Sequence, residues 1–317
     1  MGVLIILISF LLSLFFLSYL QRFFLKKNFF DPINARSSHT GIATRNGGIS
    51  IYLTLLLISL YFYLNNTEIF DYSYFIPLSI LLVVGLYDDI YDVDFKLKFL
   101  FQIIVAKILI DSGFIIDNFH GILGIYELNR IFAQIFTVFI IVAIINSINF
   151  IDGVDGLAIS VISVFIILFE FFSINQTEFQ TISIIILASF LPLLYFNYRS
   201  ENKIFLGDSG SLLLGGIVSI YVLNILSSEY IIKKEFDLNK MIFVISILAY
   251  PIIDIIRVFF LRLLTGKSPF VADKNHIHHI LLKRFKSHIL TSLFVIFTSL
   301  VFTILLQLLF WKLLIKQ

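Results

Sequence analysis

Five aspartates, in three short segments of the chain, have neighbours that suit phosphate and metal chemistry. Asp88 and Asp89 end an apolar run, Asp152 and Asp155 belong to IDGVDG, and Asp208 belongs to GDSG. Gathered in one place, these carboxylates would repel one another unless a cation shared them, and hard oxygen ligands suit Mg²⁺ or Mn²⁺. An ion held by one or two protein oxygens keeps coordination sites for substrate phosphates, as in nucleotide-dependent transfer.

The residues near these aspartates suit an anionic ligand. Glycines such as Gly153 and Gly210 allow the backbone to approach a ligand closely. Ser209 and Ser211 open the next apolar run, so free N–H groups at that helix start are expected to face an anion. Basic and imidazole groups in the first and last polar loops would neutralise phosphate charge, namely Arg45, His39, His276, His278 and His279.

Each cluster also has a plain structural interpretation. The aspartate pair suits a solvated helix end, IDGVDG is a turn signal and GDSG suits a helix N-cap. Zinc is disfavoured at the histidines, because His278 and His279 are adjacent and the chain has no cysteine. Asp254 and Arg257 lie three residues apart in an apolar run and are expected to form a structural ion pair.

The elements that must position these groups are membrane helices. Hydrophobic residues make up 59% of the 317 and charged residues 14%, which leaves too little polar surface for a soluble globule. Because a span needs about 20 apolar residues, we expect an all-α polytopic protein, one transmembrane domain over residues 1–317 with ten or eleven spans. Ten predicted spans cover 2–21, 48–64, 74–87, 97–112, 131–148, 156–173, 180–196, 209–227, 241–261 and 289–311.

Lysine and arginine are concentrated in alternate connections between these spans. Connections after even-numbered spans hold only Arg130, Lys233, Lys234 and Lys240. The positive-inside rule therefore places the other connections in the cytoplasm and both termini outside. The cytoplasmic connections contain or border every polar cluster, which predicts chemistry at one membrane face, within reach of cytosolic solutes and lipid. They cover about 22–47, 88–96, 149–156, 197–208 and 262–288.

Four motifs in this order resemble those of the polyprenyl-phosphate N-acetylhexosamine-1-phosphate transferases, the MraY/WecA superfamily or glycosyl transferase family 4. The motifs are Asp88-Asp89 with the following YDVDFKLKFLFQ, then NFIDGVDGLA, FLGDSG and HIHH. They fall within about residues 34–285, most of the chain. HIHH in place of three consecutive histidines, together with PIIDIIRV, resembles the WecA-like branch that starts O-antigen, teichoic-acid or related polysaccharide units.

The resemblance implies a bacterial inner-membrane enzyme that transfers a HexNAc-1-phosphate from a UDP-sugar to undecaprenyl phosphate and releases UMP. It implies Mg²⁺, or Mn²⁺, bound by Asp208 with Asn149 or the aspartate pair assisting. Asp88 or Asp89 would deprotonate or orient the lipid phosphate. The implied partners are the UDP-sugar, undecaprenyl phosphate, membrane lipid and a second copy in a homodimer, and they include no nucleic acid.

The same resemblance implies roles for the remaining candidates. Asp155, Asn197 and Phe205 resemble a uracil pocket in which Phe205 stacks on the base, and Asp152 resembles a catalytic residue near the metal and the diphosphate. The resemblance implies that the histidines bind the pyrophosphate or the lipid phosphate, His278 and His279 as catalytic residues and His276 as a binding residue. Arg45 and His39 are further binding candidates, although GIATRNGG lacks the prolines often seen in the family's loop.

Functions of two other classes compete with this interpretation. A secondary transporter would use carboxylates of the helix bundle, but it predicts binding groups near the midplane of broken helices in inverted repeats. Here the clusters lie at one face, and the sequence shows no inverted repeat. A non-catalytic scaffold for polysaccharide assembly is the third alternative. The sequence leaves the sugar open, because GlcNAc, FucNAc, QuiNAc and other HexNAc epimers differ by single hydroxyls or a deoxy position.

Overall fold

The computed structural model describes residues 2–31, 41–174, 177–226, 231–232, 239–266 and 275–314, with side chains up to residue 309. Helices account for most of these residues, so the predicted all-α class is confirmed. The helices are α1 (Gly2–Lys26), α2 (Gly47–Leu64), α3 (Phe75–Tyr91), α4 (Phe95–Asp111), α5 (Arg130–Ile151), α6 (Leu157–Phe172), α7 (Gln180–Asn197), α8 (Gly207–Leu226), α9 (Lys240–Ile247), α10 (Ala249–Leu264), α11 (Ile277–Phe285) and α12 (His288–Leu314).

Every predicted span coincides with one of these helices or with the pair α9 and α10. Seven helices are long and apolar enough to cross a bilayer, and the pair, bent by 70°, would make an eighth. The helix α6 has 16 residues and α4 has 17, so both are shorter than the roughly 20 residues of an ordinary span. The described residues therefore show seven or eight candidate spans, and the total of ten stays a prediction.

The helix α8 lies at the centre of the bundle. It packs against α2, α3 and α5, and all its residues except Asp208 are buried. By contrast, α1 and α12 expose large apolar side chains such as Leu7 and Phe297. An apolar helix buried all round belongs in a core, and exposed apolar faces suit lipid. Asp208 is thus the polar start of the central helix.

Two short strands that were not predicted from the sequence join distant segments. The strands β1 (Ala43–Thr44) and β2 (Lys203–Ile204) pair in parallel. The N–H of Phe205 donates to the carbonyl of Thr44 at 2.8 Å, and the N–H of Gly47 donates to the carbonyl of Phe205 at 3.0 Å. The pair fixes the segment before α2 against the segment before α8.

The polar clusters meet at one end of the bundle. The carboxyl ends of α3, α5 and α7 lie there together with the amino ends of α2, α4, α6, α8 and α12, as side-chain contacts between these ends show. We call this the polar end of the bundle. Residues that are far apart in the sequence become neighbours there.

Candidate active site

The start of α8 is held by the carboxylate of Asp89 from α3. Its Oδ1 and Oδ2 accept hydrogen bonds from the backbone N–H groups of Asp208 and Ser209, each at 2.9 Å. A carboxylate at a helix N-terminus is favoured both by these orphan donors and by the helix dipole. At this helix start, where the sequence predicted free N–H groups for an anionic ligand, the amides of Asp208 and Ser209 are therefore occupied by Asp89, whose side chain is 1% exposed.

Two glycines permit the tight packing at this helix start. A Cβ on Gly85 would lie 2.4 Å from the carbonyl oxygen of Asp208, and one on Gly48 would lie 2.2 Å from the Cα of Gly210. Real Cβ atoms do not approach backbone so closely. The absence of a side chain at both positions lets α2 and α3 fix the place of Asp208.

Asp88 and Asp208 share the ammonium group of Lys98. The Nζ of Lys98 lies 2.9 Å from Oδ2 of Asp88 and 2.9 Å from Oδ2 of Asp208. The other oxygen of Asp88 accepts from the N–H of Val93 at 2.8 Å. Lys98 was not among the predicted site residues, although its place ten residues after Asp88 at the start of an apolar helix is a signal that could have identified it.

Asn149 and Asp152, at the end of α5, face the same region. The Nδ2 of Asn149 donates to the hydroxyl of Ser211 at 2.7 Å. The side-chain oxygen Oδ1 of Asn149 is then the atom that could contact a ligand. Burial, followed by the negative charges of Asp208 and Asp89, raises the pKa of Asp152 well above its ordinary value. The structure thus brings together the metal-binding and acidic candidates from α3, α5 and α8.

Acidic and cationic side chains lie close together at the polar end. Three cationic side chains, Arg45, Lys98 and Lys203, contact acidic groups there. Arg45 pairs with Asp31 and lies 3.7 Å from Asp89. The acidic side chains of this part of the polar end are Asp31, Asp88, Asp89, Asp152, Asp155 and Asp208.

This donor set suits a hard divalent cation in charge and in ligand type. Carboxylate oxygens of Asp208 and Asp88 and the amide oxygen of Asn149 are the candidate ligands. Within the described ranges, no three acidic or histidine groups converge as metal ligands, and the ammonium of Lys98 lies between the carboxylates of Asp88 and Asp208. Binding an ion between them therefore requires that Lys98 move aside.

Asp155 is held by three residues from two other segments, β2 and the start of α12. Its carboxylate pairs with Lys203 of β2, and its N–H donates to Nδ1 of His288 at 3.0 Å. The hydroxyl of Ser292 donates to its carbonyl oxygen at 3.2 Å. The Nζ of Lys203 lies 6.0 Å from the ring centroid of Phe205, so Asp155 and Phe205 share one cationic neighbour.

Asn197 positions the loop around Asp155. Its Oδ1 accepts from the N–H of Gly156 at 2.6 Å, and its Nδ2 donates to the carbonyl of Ile204 at 2.9 Å. Gly156 has φ +71°, and a Cβ there would lie 2.1 Å from the hydroxyl oxygen of Tyr198. With both ends of its amide engaged, Asn197 joins this loop to β2.

The three histidines of HIHH have different surroundings. His276 and His279 line a cavity of about 160 Å³, whereas His278 is not among its lining residues. The side chain of His278 is fully buried, and burial, followed by the neighbouring His279, lowers its pKa to about 3. His278 is therefore neutral at physiological pH. The cavity is lined by Asn149, Phe150, Asp152, Gly153, Arg262, His276 and His279.

Three further residues of the site were not predicted from the sequence. Arg262, in the last turn of α10 and 5% exposed, lines the cavity, while Lys203 and His288 contact Asp155. A basic residue at the end of an apolar run beside a polar loop is the signal that could have identified Arg262. The predicted candidate His39 lies outside the described residues.

The chain is similar to one group of known proteins. The sequence profile described as glycosyl transferase family 4 matches residues 72–226. A Pasteurella multocida protein named undecaprenyl-phosphate alpha-N-acetylglucosaminyl 1-phosphate transferase is 36% identical over 265 residues, 80% of this chain and 71% of the relative. A Haemophilus influenzae protein of the same name is 33% identical over 80% of this chain and 71% of its own length.

A relative from Bacillus subtilis covers more of the chain. It is named "Probable undecaprenyl-phosphate N-acetylglucosaminyl 1-phosphate transferase" and is 32% identical over 305 residues, 94% of this chain and 82% of the relative. The similarity therefore includes the whole polar end of the bundle, from β1 to the start of α12.

Proposed function

The chain belongs to glycosyl transferase family 4, and from that premise we propose that it transfers a HexNAc-1-phosphate from a UDP-sugar to undecaprenyl phosphate. The observation that carries the proposal is the gathering of Asp88, Lys98, Asn149, Asp152 and Asp208 at one end of an apolar helix bundle. Such a site can meet a lipid phosphate from the bilayer and a nucleotide sugar from water.

The proposed reaction is a phosphoryl transfer. An oxygen of the lipid phosphate attacks the β-phosphorus of the UDP-sugar, the bond from that phosphorus to the bridging oxygen breaks, and UMP leaves with the electron pair. The product is a pyrophosphate that joins lipid and sugar. Because the lipid phosphate is already largely ionised near neutral pH, positioning and charge neutralisation are the main tasks of the protein.

On the acceptor side, Asp88 and Lys98 are the groups that we assign to the lipid phosphate. Both oxygens of Asp89 accept backbone N–H groups of α8, so its proposed role is to position Asp208. The ammonium of Lys98, on a side chain that is 21% exposed, would bind a phosphate oxygen. Asp88 would orient the lipid phosphate. Asp208, with Asn149 and Asp88, would hold Mg²⁺ or Mn²⁺, which supplies further neutralisation of phosphate charge.

On the donor side, we assign uracil to the surroundings of Phe205. Its ring would stack on the base, with Lys203 and Asp155 beside it. His276, His279 and Arg262 line the cavity beside Asp152 and would contact the diphosphate and the sugar. With these assignments, the transferred phosphorus would lie between the acceptor groups, Asp88 and Lys98, and the donor groups around Phe205.

We assign the polar end to the cytoplasmic face of a bacterial inner membrane. The support is the concentration of Lys and Arg in the connections that border it. The product would then be the first lipid-linked intermediate of a cell-surface polysaccharide, such as O-antigen or teichoic acid, with GlcNAc as the first donor to test.

The decisive experiment is an assay of UMP release. Purified protein with undecaprenyl phosphate, Mg²⁺ and a panel of UDP-HexNAc donors is expected to release UMP and to form a lipid-linked sugar with at least one donor. EDTA is expected to stop turnover, and added Mg²⁺ to restore it. No UMP from any donor refutes the transferase, and undiminished turnover in EDTA refutes the metal alone.

The transporter alternative is tested in the same preparation. It predicts flux of solute across proteoliposomes without UMP formation. The described acidic groups of the site lie together at one end of the bundle rather than at its midplane, which favours the transferase.

A further inference from the structure

Asp254 of α10 binds the start of α11 from a buried position. Its side chain is 1% exposed, and the predicted pair with Arg257 is present, with Nη2 donating to Oδ1 at 3.2 Å. The N–H of Ile277, the first residue of α11, donates to the same oxygen at 2.9 Å. The Nδ1 of His276 lies 2.9 Å from Oδ2. Asp254 therefore contacts Ile277 and His276 in addition to Arg257, its expected partner. The atom of His276 that it contacts is Nδ1.

In the neutral ring, this contact determines which nitrogen of His276 carries the proton. An ionised carboxylate only accepts hydrogen bonds, so Nδ1 must be the donor. Nε2 is then the remaining polar atom of the ring, and no group in the described part of the chain forms a hydrogen bond with it. The ring lines the cavity beside Asp152 and Arg262. Nε2 is thus the atom that His276 offers to a molecule in the cavity.

Packing fixes the plane of the same ring. The ring of His276 stacks on Phe150 with centroids 5.5 Å apart and on His278 with centroids 5.4 Å apart. His278 itself is placed differently, since its Nδ1 lies 3.2 Å from the hydroxyl of Tyr250 and 3.7 Å from Oδ2 of Asp254. The carboxylate of Asp254 and the two neighbouring rings therefore hold His276 against the cavity.

We propose that Asp254 is a positioning residue for the transfer reaction. Through Nδ1 it holds His276 in the Nδ1-protonated form and presents Nε2 to the cavity as an acceptor for an O–H group of a bound substrate. The substrate in this statement rests on the proposed function, whereas the state of the ring does not. A carboxylate that fixes a histidine tautomer from behind is a common way to orient a ring at a site.

The tautomer can be measured without any transferase activity. In the full chain labelled with ¹⁵N-histidine, the NMR signals removed by His276→Gln are expected to show a protonated Nδ1 and an unprotonated Nε2. Asp254→Asn can offer an N–H to Nδ1, so it is expected to move the proton to Nε2. A wild-type His276 with a proton on Nε2, whether or not Nδ1 is also protonated, overturns the proposal, whether or not the protein releases UMP.

The kinetic test separates positioning from helix capping. Asp254→Asn keeps an oxygen for Ile277 and Arg257, so we expect a similar melting temperature, a kcat lowered by about 10- to 100-fold and KM values within about threefold. In a His276→Gln background the same change is expected to cause no further loss. Losses that multiply, or an unchanged kcat in an otherwise active protein, overturn the proposal.

A matched control is available at another carboxylate. Glu170 of α6 is partly buried and accepts hydrogen bonds from Thr177 and Ser183, far along the helix from the polar end. Glu170→Gln also replaces a hydrogen-bonded carboxylate by an amide, and it is expected to leave kcat and the ¹⁵N signals of His276 unchanged. Wild-type protein without UMP release would refute the proposed function, while the NMR result would still decide the role of Asp254.

Discussion

Asp88 and Asp89 are adjacent in the sequence, yet their side chains have separate surroundings. Asp89 accepts two backbone N–H groups of α8, while Asp88 pairs with Lys98. Successive side chains on a helix point about 100° apart, so one residue can cap a neighbouring helix while the next faces the site. The sequence predicted the pair but not this division, because the partners come from segments 10 and 120 residues away.

Replacement of Asp208 tests the acidic centre of the site. Asp208→Asn removes the charge that Lys98 contacts and a proposed metal ligand, so we expect kcat to fall by about 10²- to 10³-fold with expression and melting temperature retained. Asp111→Asn is the control, because the partner of this exposed carboxylate among the described residues is Lys107 on the same helix, α4. UMP release by Asp208→Asn within twofold of wild type contradicts the assignment.

His278 gives the protein a defined acid sensitivity. Its pKa is about 3 in the folded chain and about 6.5 when unfolded, so the unfolded state binds more protons between these values. The contribution of neutral His278 to the free energy of unfolding is present above pH 6.5 and is lost as the pH falls towards 3. Between pH 6.5 and 5 we expect a loss of about 1 to 2 kcal/mol of unfolding free energy.

Thermal unfolding in detergent at pH 7, 6 and 5 measures this effect. His278→Gln is expected to flatten the acid decline, whereas His120→Gln, at a connection on the other side of the bundle, is expected to keep it. An equal decline in both variants would show that other groups cause the acid sensitivity.

At the scale of elements, close helix contacts place the site. Gly85→Ala would put a Cβ 2.4 Å from the carbonyl oxygen of Asp208, so α8 must shift away from α3 and the cap by Asp89 must lengthen. We expect a loss of about 1 to 3 kcal/mol of stability and a kcat lowered at least about tenfold.

The control for this change lies on α8 itself. Gly216→Ala would meet the side chain of Leu81 at 2.4 Å, deeper in the bundle, so it is expected to reduce the melting temperature while UMP release per folded molecule stays near wild type. Equal activity losses in both variants would mean that packing in general, and not the position of Asp208, limits the reaction.

The apolar runs predicted the helices well because each run has few charges and a length near that of a span. The bend between α9 and α10 was not predicted, although Pro251 marks it: proline has no N–H to donate to the carbonyl of Ile247 one turn earlier. The strands β1 and β2 could not be predicted either, since two residues carry no periodic signal.

At the scale of the whole molecule, the orientation in the membrane is open to direct measurement. The chain has no cysteine, so single cysteines can be introduced at the exposed positions Lys283 and Glu127. An impermeant maleimide is expected to label Glu127→Cys in intact spheroplasts and Lys283→Cys only after disruption of the membrane. The reverse pattern contradicts the cytoplasmic assignment, and retained UMP release in both variants is the control.

The composition and motif order were sufficient to predict an all-α membrane protein of this family, because both are properties of the chain alone. The arrangement of the site was not predictable in the same way. Lys98, Lys203, Arg262 and His288 are ordinary basic residues in the sequence, and they acquire importance only from the carboxylates or the cavity that the fold brings beside them.

The pairing of Ala43 with Lys203 also constrains the order of events during synthesis. A ribosome that has completed α1 to α7 has already delivered Arg45, Asp88 and Asp152 to the membrane, but β1 has no partner until residue 203 emerges. The nascent chain therefore carries the carboxylates of Asp88 and Asp89 without their partners on α8 from about residue 89 until residue 208 has been added. A competent site forms only after α8 has been inserted, and the cavity closes later still, when His276 arrives.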